Sequence, residues 1–254
     1  NPHHHISIQL GNPNIIKEII GSRVVYNFRK NDILNGGEGA PLTPVYHNVI
    51  TQSSNSYPQV FLNIGGVSNI TYVDKGIDPI AFDTGPGNAL IDDYMIKLYA
   101  KDYDLSGDIA ARGVVNKNFV KNFLSNNYFR LDPPKSLDRN HFVIDVDSSI
   151  TNDDLIASLT QITIESIGLA KSYFPKKPKI WIVCGGGRNN RTIIRGLQKI
   201  IEEPVVVAEE VNLRGKYIEA EAFAFLAVRR ILGMPISYPS TTGVRKPVVG
   251  GEII

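Results

Sequence analysis

Apolar and polar positions alternate along Ile6-Ser7-Ile8-Gln9-Leu10, a pattern that predicts a strand closed by Gly11-Asn12-Pro13. Residues 14–20 suit a short helix stopped at Gly21, and Val24-Val25-Tyr26 a second strand. The stretch Asn35-Gly36-Gly37-Glu38-Gly39-Ala40-Pro41 reads as a loop without regular structure. Residues 60–64 and 69–73 are strand-like and joined through Gly65-Gly66, which predicts a hairpin. From Pro86 the spacing turns helical, with Pro86 in the first turn and Ala89, Leu90, Tyr94 and Leu98 following. A long helix is predicted from about residue 152 to 173, with Thr151 as its N-cap. Lys179-Ile180-Trp181-Ile182-Val183 is a buried strand that runs into Gly185-Gly186-Gly187. Residues 192–201 are helical, 205–208 a strand, and 216–232 a strong helix ending at Gly233; the last twenty residues read as an irregular return. Strands first, then alternating helix and strand, give an α/β sheet with helices on its faces.

Composition narrows the function classes. The 254 residues allow one large α/β domain or two small ones, and 43% hydrophobic with 20% charged residues excludes wholesale disorder. Lys+Arg 27 against Asp+Glu 25 is too balanced for a nucleic-acid footprint. No apolar run approaches a bilayer span, no signal-peptide core opens the chain, and the single cysteine, Cys184, excludes a disulfide framework and fits a reducing compartment. The expectation is a cytoplasmic protein acting on a small molecule, without nucleic-acid or membrane partners. Histidines 3–5 would point to alternating sides of an extended segment, which is poor chelating geometry, so no metal site is expected there.

Three glycine-bearing turns stand at strand ends: Asn63-Ile64-Gly65-Gly66-Val67-Ser68-Asn69, Asp83-Thr84-Gly85-Pro86-Gly87-Asn88 and Cys184-Gly185-Gly186-Gly187-Arg188-Asn189. Glycine lets a backbone approach an anion and aim N–H groups at it, and the second and third turns also open helices. Each alone is most often an ordinary turn; three in one chain favour a nucleotide or sugar-phosphate cleft. Neither the dinucleotide fingerprint nor GxxxxGK[ST] is present. Asp83 follows the apolar run Ile80-Ala81-Phe82, where partial desolvation would raise its pKa and suit it as a general base; a turn-capping role is the alternative. Glu219 and Glu221 point to different faces of their helix, so one of them meets the apolar side. Cys184 reads as a small hydrophobe at a strand end.

Taken together, these segments resemble the anhydro-N-acetylmuramic acid kinases, a branch of the actin-like sugar kinase superfamily. The resemblance rests on Phe28-Arg29 with Asp32, Gly36-Gly37-Glu38-Gly39-Ala40-Pro41-Leu42, the three glycine turns, Pro134-Lys135-Ser136 with Arg139, and Glu219-Ala220 with Ala222-Phe223-Ala224-Phe225-Leu226-Ala227. It implies an actin-like, ribonuclease H-like ATPase fold with ATP, Mg²⁺ and sugar between two lobes. The implied reaction opens a 1,6-anhydro bridge with water while phosphorylating O6, as in cell-wall sugar recycling. Asp83 would activate the water. Arg29, Asn88 and Glu219 would meet the sugar, which selects Glu219 over Glu221. Gly65, Gly66, Ser68, Gly185, Gly186, Gly187 and Asn189 would line the nucleotide, with no metal ligand assigned.

The sequence departs from the family at several places. Asn27 stands for a usual Asp, Glu38 for a usual Gln, and Leu137-Asp138 and Asn140 break Lys-Ser-Thr-Gly-Arg-Glu. A levoglucosan-type kinase therefore stays open. Members also carry an N-terminal Gly-Thr-Ser-x-Asp-Gly phosphate loop that is not found here, which keeps open a silent sugar- or nucleotide-binding protein. The expectation is one complete lobe plus part of the other: residues 1–30 a remnant of domain I, 31–235 domain II, and 236–254 a return segment packing toward domain I. On that reading the chain alone would be inactive, completed by an N-terminal segment, with a homodimer as another possible partner.

Overall fold

The computed structural model describes residues 7–52, 56–146 and 149–254. Local signals define the first helix, α1 (Pro13–Ile20): the Asn12 side chain accepts the Asn14 N–H, Pro13 takes the first position, and Gly21 closes the end at φ 62. Next come β1 (Val25–Tyr26), α2 (Lys30–Leu34) and α3 (Pro44–Gln52). The central strands are β2 (Gln59–Ile64), β3 (Val67–Val73) and β4 (Ile80–Pro86), followed by α4 (Ala89–Tyr99) and α5 (Lys117–Leu124). The long α6 (Asn152–Leu169) starts where Thr151 Oγ1 accepts the Asp154 N–H. After it run β5 (Ile180–Cys184), α7 (Arg191–Ile200), β6 (Val205–Val207), α8 (Ile218–Ile231), the single turn α9 (Pro239–Thr242) and β7 (Glu252–Ile253).

The sheet has the order β4-β3-β2-β5-β6. β2, β3 and β4 pair antiparallel, whereas β5 joins β2, and β6 joins β5, in parallel. A three-stranded meander extended by parallel strands is the ribonuclease H-like arrangement, and the mixed α/β class expected from the sequence holds. The two-residue side-chain period sorts the core. Val60, Leu62 and Ile64 with Trp181 and Val183 pack with Leu155, Leu159 and Ile162 of α6 and Ile193 and Leu197 of α7. Phe61, Ile182 and Cys184 turn to the other face, against Ile218 of α8 and Tyr46 and Ile50 of α3. Because both faces are covered, β2 and β5 read as continuous apolar runs.

A smaller cluster of Phe28, Leu42, Val45, Leu226 and Ile236 joins the glycine-rich segment to α8 and the C-terminal return. β1 pairs with β7, Val25 opposite Ile253. Asp32 is fully buried here; its carboxylate accepts Gly39 N–H at 2.7 Å and Thr242 Oγ1–H at 2.6 Å. A Cβ at Gly37 would lie 2.2 Å from Asp32 Oδ2, so this position has room for nothing but glycine.

Three expectations change. Residues 7–10 form no strand: Ile8 and Leu10 are 81% and 98% exposed, and alternation without a neighbouring strand fixes nothing. Residue 6 and histidines 3–5 lie outside the described residues. Pro86 ends β4 rather than opening the helix, which starts at Ala89. The C-terminal return, read as irregular, contains α9, β7 and a Ser237–Val248 bridge.

Candidate active site

β2, β4 and β5 run in one direction, so their carboxyl ends share one edge of the sheet, the usual position for ligands in α/β folds. All three glycine turns emerge there, and the first two are stitched together. Gly87 N–H donates to Gly66 O at 2.9 Å, Asn88 N–H to Gly65 O at 2.7 Å, and the Asn88 side chain to Ile64 O at 3.2 Å. Gly185 has φ +75, and a Cβ there would meet Asn63 Oδ1 at 2.4 Å, so β5 reaches the edge only through glycine. At Gly65, Gly66 and Gly186 a Cβ would meet no atom closer than 3.5 Å. Packing does not demand glycine at these three, whereas a ligand lying on bare backbone would.

Two cavities flank the third turn. One, of about 430 Å³, is lined by Asn88, Asp92, Tyr103, Gly186, Gly187 and Asn189. The other, of about 290 Å³, is lined by His47, Asn63, Gly185, Arg188 and Glu219. Of the residues assigned to a nucleotide, Gly65, Gly66, Gly185, Gly186 and Asn189 are at least partly accessible at this edge; Gly187 is buried but borders the larger cavity. Ser68 is not available to a ligand. It is fully buried, and its hydroxyl pairs with Thr84 Oγ1 at 2.6 Å and with Gly85 O, tying β3 to β4.

Asp83 ends the apolar stretch of β4 and is 7% exposed. Three hydrogen bonds fix it, all from one segment. Its N–H donates to Lys135 O at 3.0 Å, its carbonyl accepts the Tyr128 hydroxyl at 2.6 Å, and Oδ2 accepts Leu137 N–H at 2.7 Å. Burial pushes the carboxyl up to about 7, opposed by the Leu137 hydrogen bond and the Arg29 charge, with Glu38 adding to the rise. Arg29 is half-buried, which lowers its pKa, while the charges of Glu219, Asp32 and Asp83 act the other way. Its guanidinium donates to Gly39 O at 2.5 Å. Asp83, Arg29, Glu38 and Glu219 therefore form one electrostatic group.

On α8 the two glutamates separate as their spacing requires. Glu221 accepts the Tyr46 hydroxyl at 2.8 Å and pairs with Arg214, whereas exposed Glu219 borders the smaller cavity. The Cys184 thiol, pushed up to about 12 by burial, donates to Leu62 O and is inert. His47, stacked on Phe61 at 4.5 Å and held to about 3 by burial, is neutral. Several contributors escaped the sequence reading: Tyr128, the Leu137 N–H, Asp92, and the Ser136 hydroxyl that donates to Glu38 at 3.0 Å. Tyr128 and Leu137 lie 45 and 54 residues from Asp83, and no local pattern marks such contacts.

Magnesium fits this edge only as a guest of the nucleotide. Among the described residues no cluster of three or more His, Cys, Asp or Glu could hold a metal, and magnesium is usually bound through substrate phosphates with few protein ligands. Among the described residues, too, no helix is long and apolar enough to cross a membrane.

The model of the family "AnmK: Anhydro-N-acetylmuramic acid kinase" matches residues 1–254. The chain is 44% identical over 247 residues to the anhydro-N-acetylmuramic acid kinase of Zymomonas mobilis, covering 96% of this chain and 67% of that protein. It is 39% identical to the Methylorubrum extorquens kinase, covering 98% and 66%, and 41% identical to that of Bradyrhizobium diazoefficiens, covering 99% and 69%. The chain thus spans about two thirds of the length of these relatives. Among solved structures, a xylulose kinase from Lactobacillus acidophilus aligns with TM-score 0.46 at 15% identity, over 74% of this chain and 41% of that one. A gluconate kinase from the same organism aligns with TM-score 0.42 at 14% identity, over 69% and 39%. Those alignments are too loose to add to the sheet order. The sequence match over the whole chain decides the matter: this chain belongs to the anhydro-N-acetylmuramic acid kinase family.

Proposed function

We propose that the protein takes part in ATP-dependent phosphorylation of 1,6-anhydro-N-acetylmuramic acid, with Asp83 as the base. The observation that carries this is the carboxylate itself: buried at the sheet's carboxyl edge, fixed by Leu137 N–H, and raised to about 7. A base is most effective when its pKa lies near the working pH. Asp83 takes a proton from water as the water oxygen bonds to the anomeric carbon. The C1–O6 bond breaks and its electron pair passes to O6, which bonds to the γ-phosphorus of ATP while ADP leaves. When bound with the nucleotide, magnesium neutralises phosphate charge. The open backbones of Gly66 and Gly186 offer N–H groups to phosphate, while Gly65 N–H donates to Val67 O at 3.2 Å and Gly65 contributes bare backbone; the cavity beside Asp92 and Tyr103 suits the nucleoside. Arg29 and Glu219 orient the sugar, whereas Asn88, assigned to the sugar from sequence, lines the larger cavity and ties the first two glycine turns together. β1, β7 and the return from residue 236 belong with the first lobe and residues 31–235 with the second; the setting is the cytoplasm.

The test is sugar-dependent ADP release by the full-length protein, run in parallel with anhydro-N-acetylmuramic acid and levoglucosan. Mass spectrometry of the product should show one added phosphate and one added water. Turnover of levoglucosan in preference to the amino sugar would move the substrate to the other anhydrosugar class. No sugar-dependent release with either would leave only the binding reading.

A further inference from the structure

Outside the groups that face the cleft, the chain buries one cation inside an aromatic box. Lys135 is 9% exposed, and its Nζ lies 5.0 Å from the ring centroids of both Tyr128 and Tyr173 and 5.7 Å from that of Phe82. It also donates to Tyr128 O at 3.3 Å. Such a cage holds an ammonium by the rings' negative faces. Its placement matters. Phe82 precedes Asp83 in β4, Tyr128 donates to Asp83 O, and the Lys135 carbonyl accepts Asp83 N–H. Two residues on, Leu137 N–H reaches the carboxylate. Residues 131–146 contain no helix or strand, so their own hydrogen-bond ladder does not fix that N–H.

We propose that Lys135 is a positioning residue for Asp83: the caged ammonium locks the 135–137 segment so that Leu137 N–H stays on the carboxylate. The inference rests on Asp83 being the base, but not on which sugar is used. Lys135 acts through the backbone. The charges that face Asp83 are Arg29 and Glu38, neither of which contacts the Lys135 ammonium; the neutral Tyr128 hydroxyl, on the carbonyl of Asp83, belongs to the same box and is loosened with it. Removing the ammonium frees the segment, weakens the Leu137 hydrogen bond that lowers the Asp83 pKa, and lets that pKa rise further.

The experiment compares wild type with Lys135→Met, which keeps the stem and loses the charge, and Lys135→Arg, which keeps a cation. Two readouts need no substrate: carbon-13 titration of the Asp83 carboxyl, and hydrogen exchange at the Leu137 amide. In Lys135→Met the Asp83 midpoint should rise by about half a pH unit or more, and Leu137 should exchange about tenfold faster. Lys135→Arg should return most of both changes. If Lys135→Met does not fold, Tyr173→Leu opens one wall of the box and must shift both readouts in the same direction. A folded Lys135→Met with an unmoved Asp83 midpoint and a protected Leu137 amide overturns the proposal, as does a Tyr173→Leu protein without either shift. Because neither readout uses ATP or sugar, wild type failing in the kinase assay would sink the proposed function and leave this result standing.

Discussion

The carboxyl edge of the sheet and the segment before β1 are built by opposite means. α1 has every local device a short helix can have: an Asn12 cap, Pro13 at its start, and Gly21 in the left-handed region at its end. Yet none of its residues is buried, and Ile15, Ile16, Ile19 and Ile20 all face outward. At the sheet edge the local devices are weaker and the distant ones decide. Asn88 makes no side-chain cap on α4, and Asp83 is held from positions 128, 135 and 137. Local signals thus suffice to shape an element, but only contacts between remote segments give a side chain one position and a shifted pKa. The proposed chemistry is assigned to the second kind of place.

The sharpest way to break that contrast is to neutralise Asp83. Asp83→Asn should leave the fold intact and lower turnover by about 10²–10⁴, the usual loss on removing a general base. In wild type the base must be ionised, so activity should rise with pH through about 7. Stability should run the other way. A carboxyl raised from 3.8 to about 7 holds its proton in the folded state while the unfolded chain releases it, so stability is full below pH 4 and falls as pH climbs toward 7. Chemical denaturation at pH 4, 5.5 and 7 should show this slope in wild type and a flatter one in Asp83→Asn. Equal slopes would mean that Asp83 titrates like a solvated carboxylate.

The next effect tests another remote pin. Asp32→Ala leaves Gly39 N–H and the Thr242 hydroxyl without their acceptor in a buried pocket, which should cost about 1–3 kcal/mol in an unfolding titration. Cleavage by a protease at the glycine-rich loop or near residue 242 should also speed up, because Asp32 is what joins them. A loss below about 0.5 kcal/mol, the range of an ordinary surface change, would show that the pin is dispensable.

Much of the fold was legible because its signals are local. The Gly21 stop of α1, the Thr151 cap of α6, the β2–β3 hairpin and the apolar run of β5 all lie where the pattern puts them. The misreadings have a common cause. α3, for which the sequence offered no expectation, carries PVYHNVITQ, rich in β-branched residues of modest helix propensity, and is held because Val45, His47 and Thr51 are buried. Residues 7–10 alternate correctly but have no partner strand. In the candidate site, the burial and raised pKa of Asp83 were readable from its place after an apolar run. Ser68 was misassigned because its glycine neighbours looked alike in sequence, whereas the bond to Thr84 that withdraws it depends on strand register.

A smaller effect separates the two glutamates of α8. Glu219 borders the cavity and lies within the field of Arg29, so Glu219→Ala should weaken anhydrosugar binding by about tenfold in calorimetry, as expected when one charged hydrogen bond is lost. ATP affinity should hardly move. Glu221→Ala should leave sugar affinity within about twofold and instead cost about 1 kcal/mol of stability, since the Tyr46 hydroxyl loses its acceptor. Equal losses of sugar affinity would place both side chains in the cleft.

The smallest effect returns to α1. Ile19 is 78% exposed and Ile16 also faces outward, so in the chain as folded neither contributes to a core. Replacing both by Lys removes little buried apolar area, since a Lys stem covers much the same surface, and Lys forms helices about as readily as Ile or better. The unfolding free energy should therefore change by less than about 0.5 kcal/mol, as at an ordinary surface position. The replacement should also raise solubility, because four isoleucines on so short a helix leave an apolar patch open to water. Light scattering and denaturation of Ile16→Lys/Ile19→Lys against wild type decide it. A loss of 2 kcal/mol or more, about the value of a buried aliphatic side chain, would show that something in solution covers this face. The contrast with the sheet edge would then be one of partners rather than of local against remote contacts.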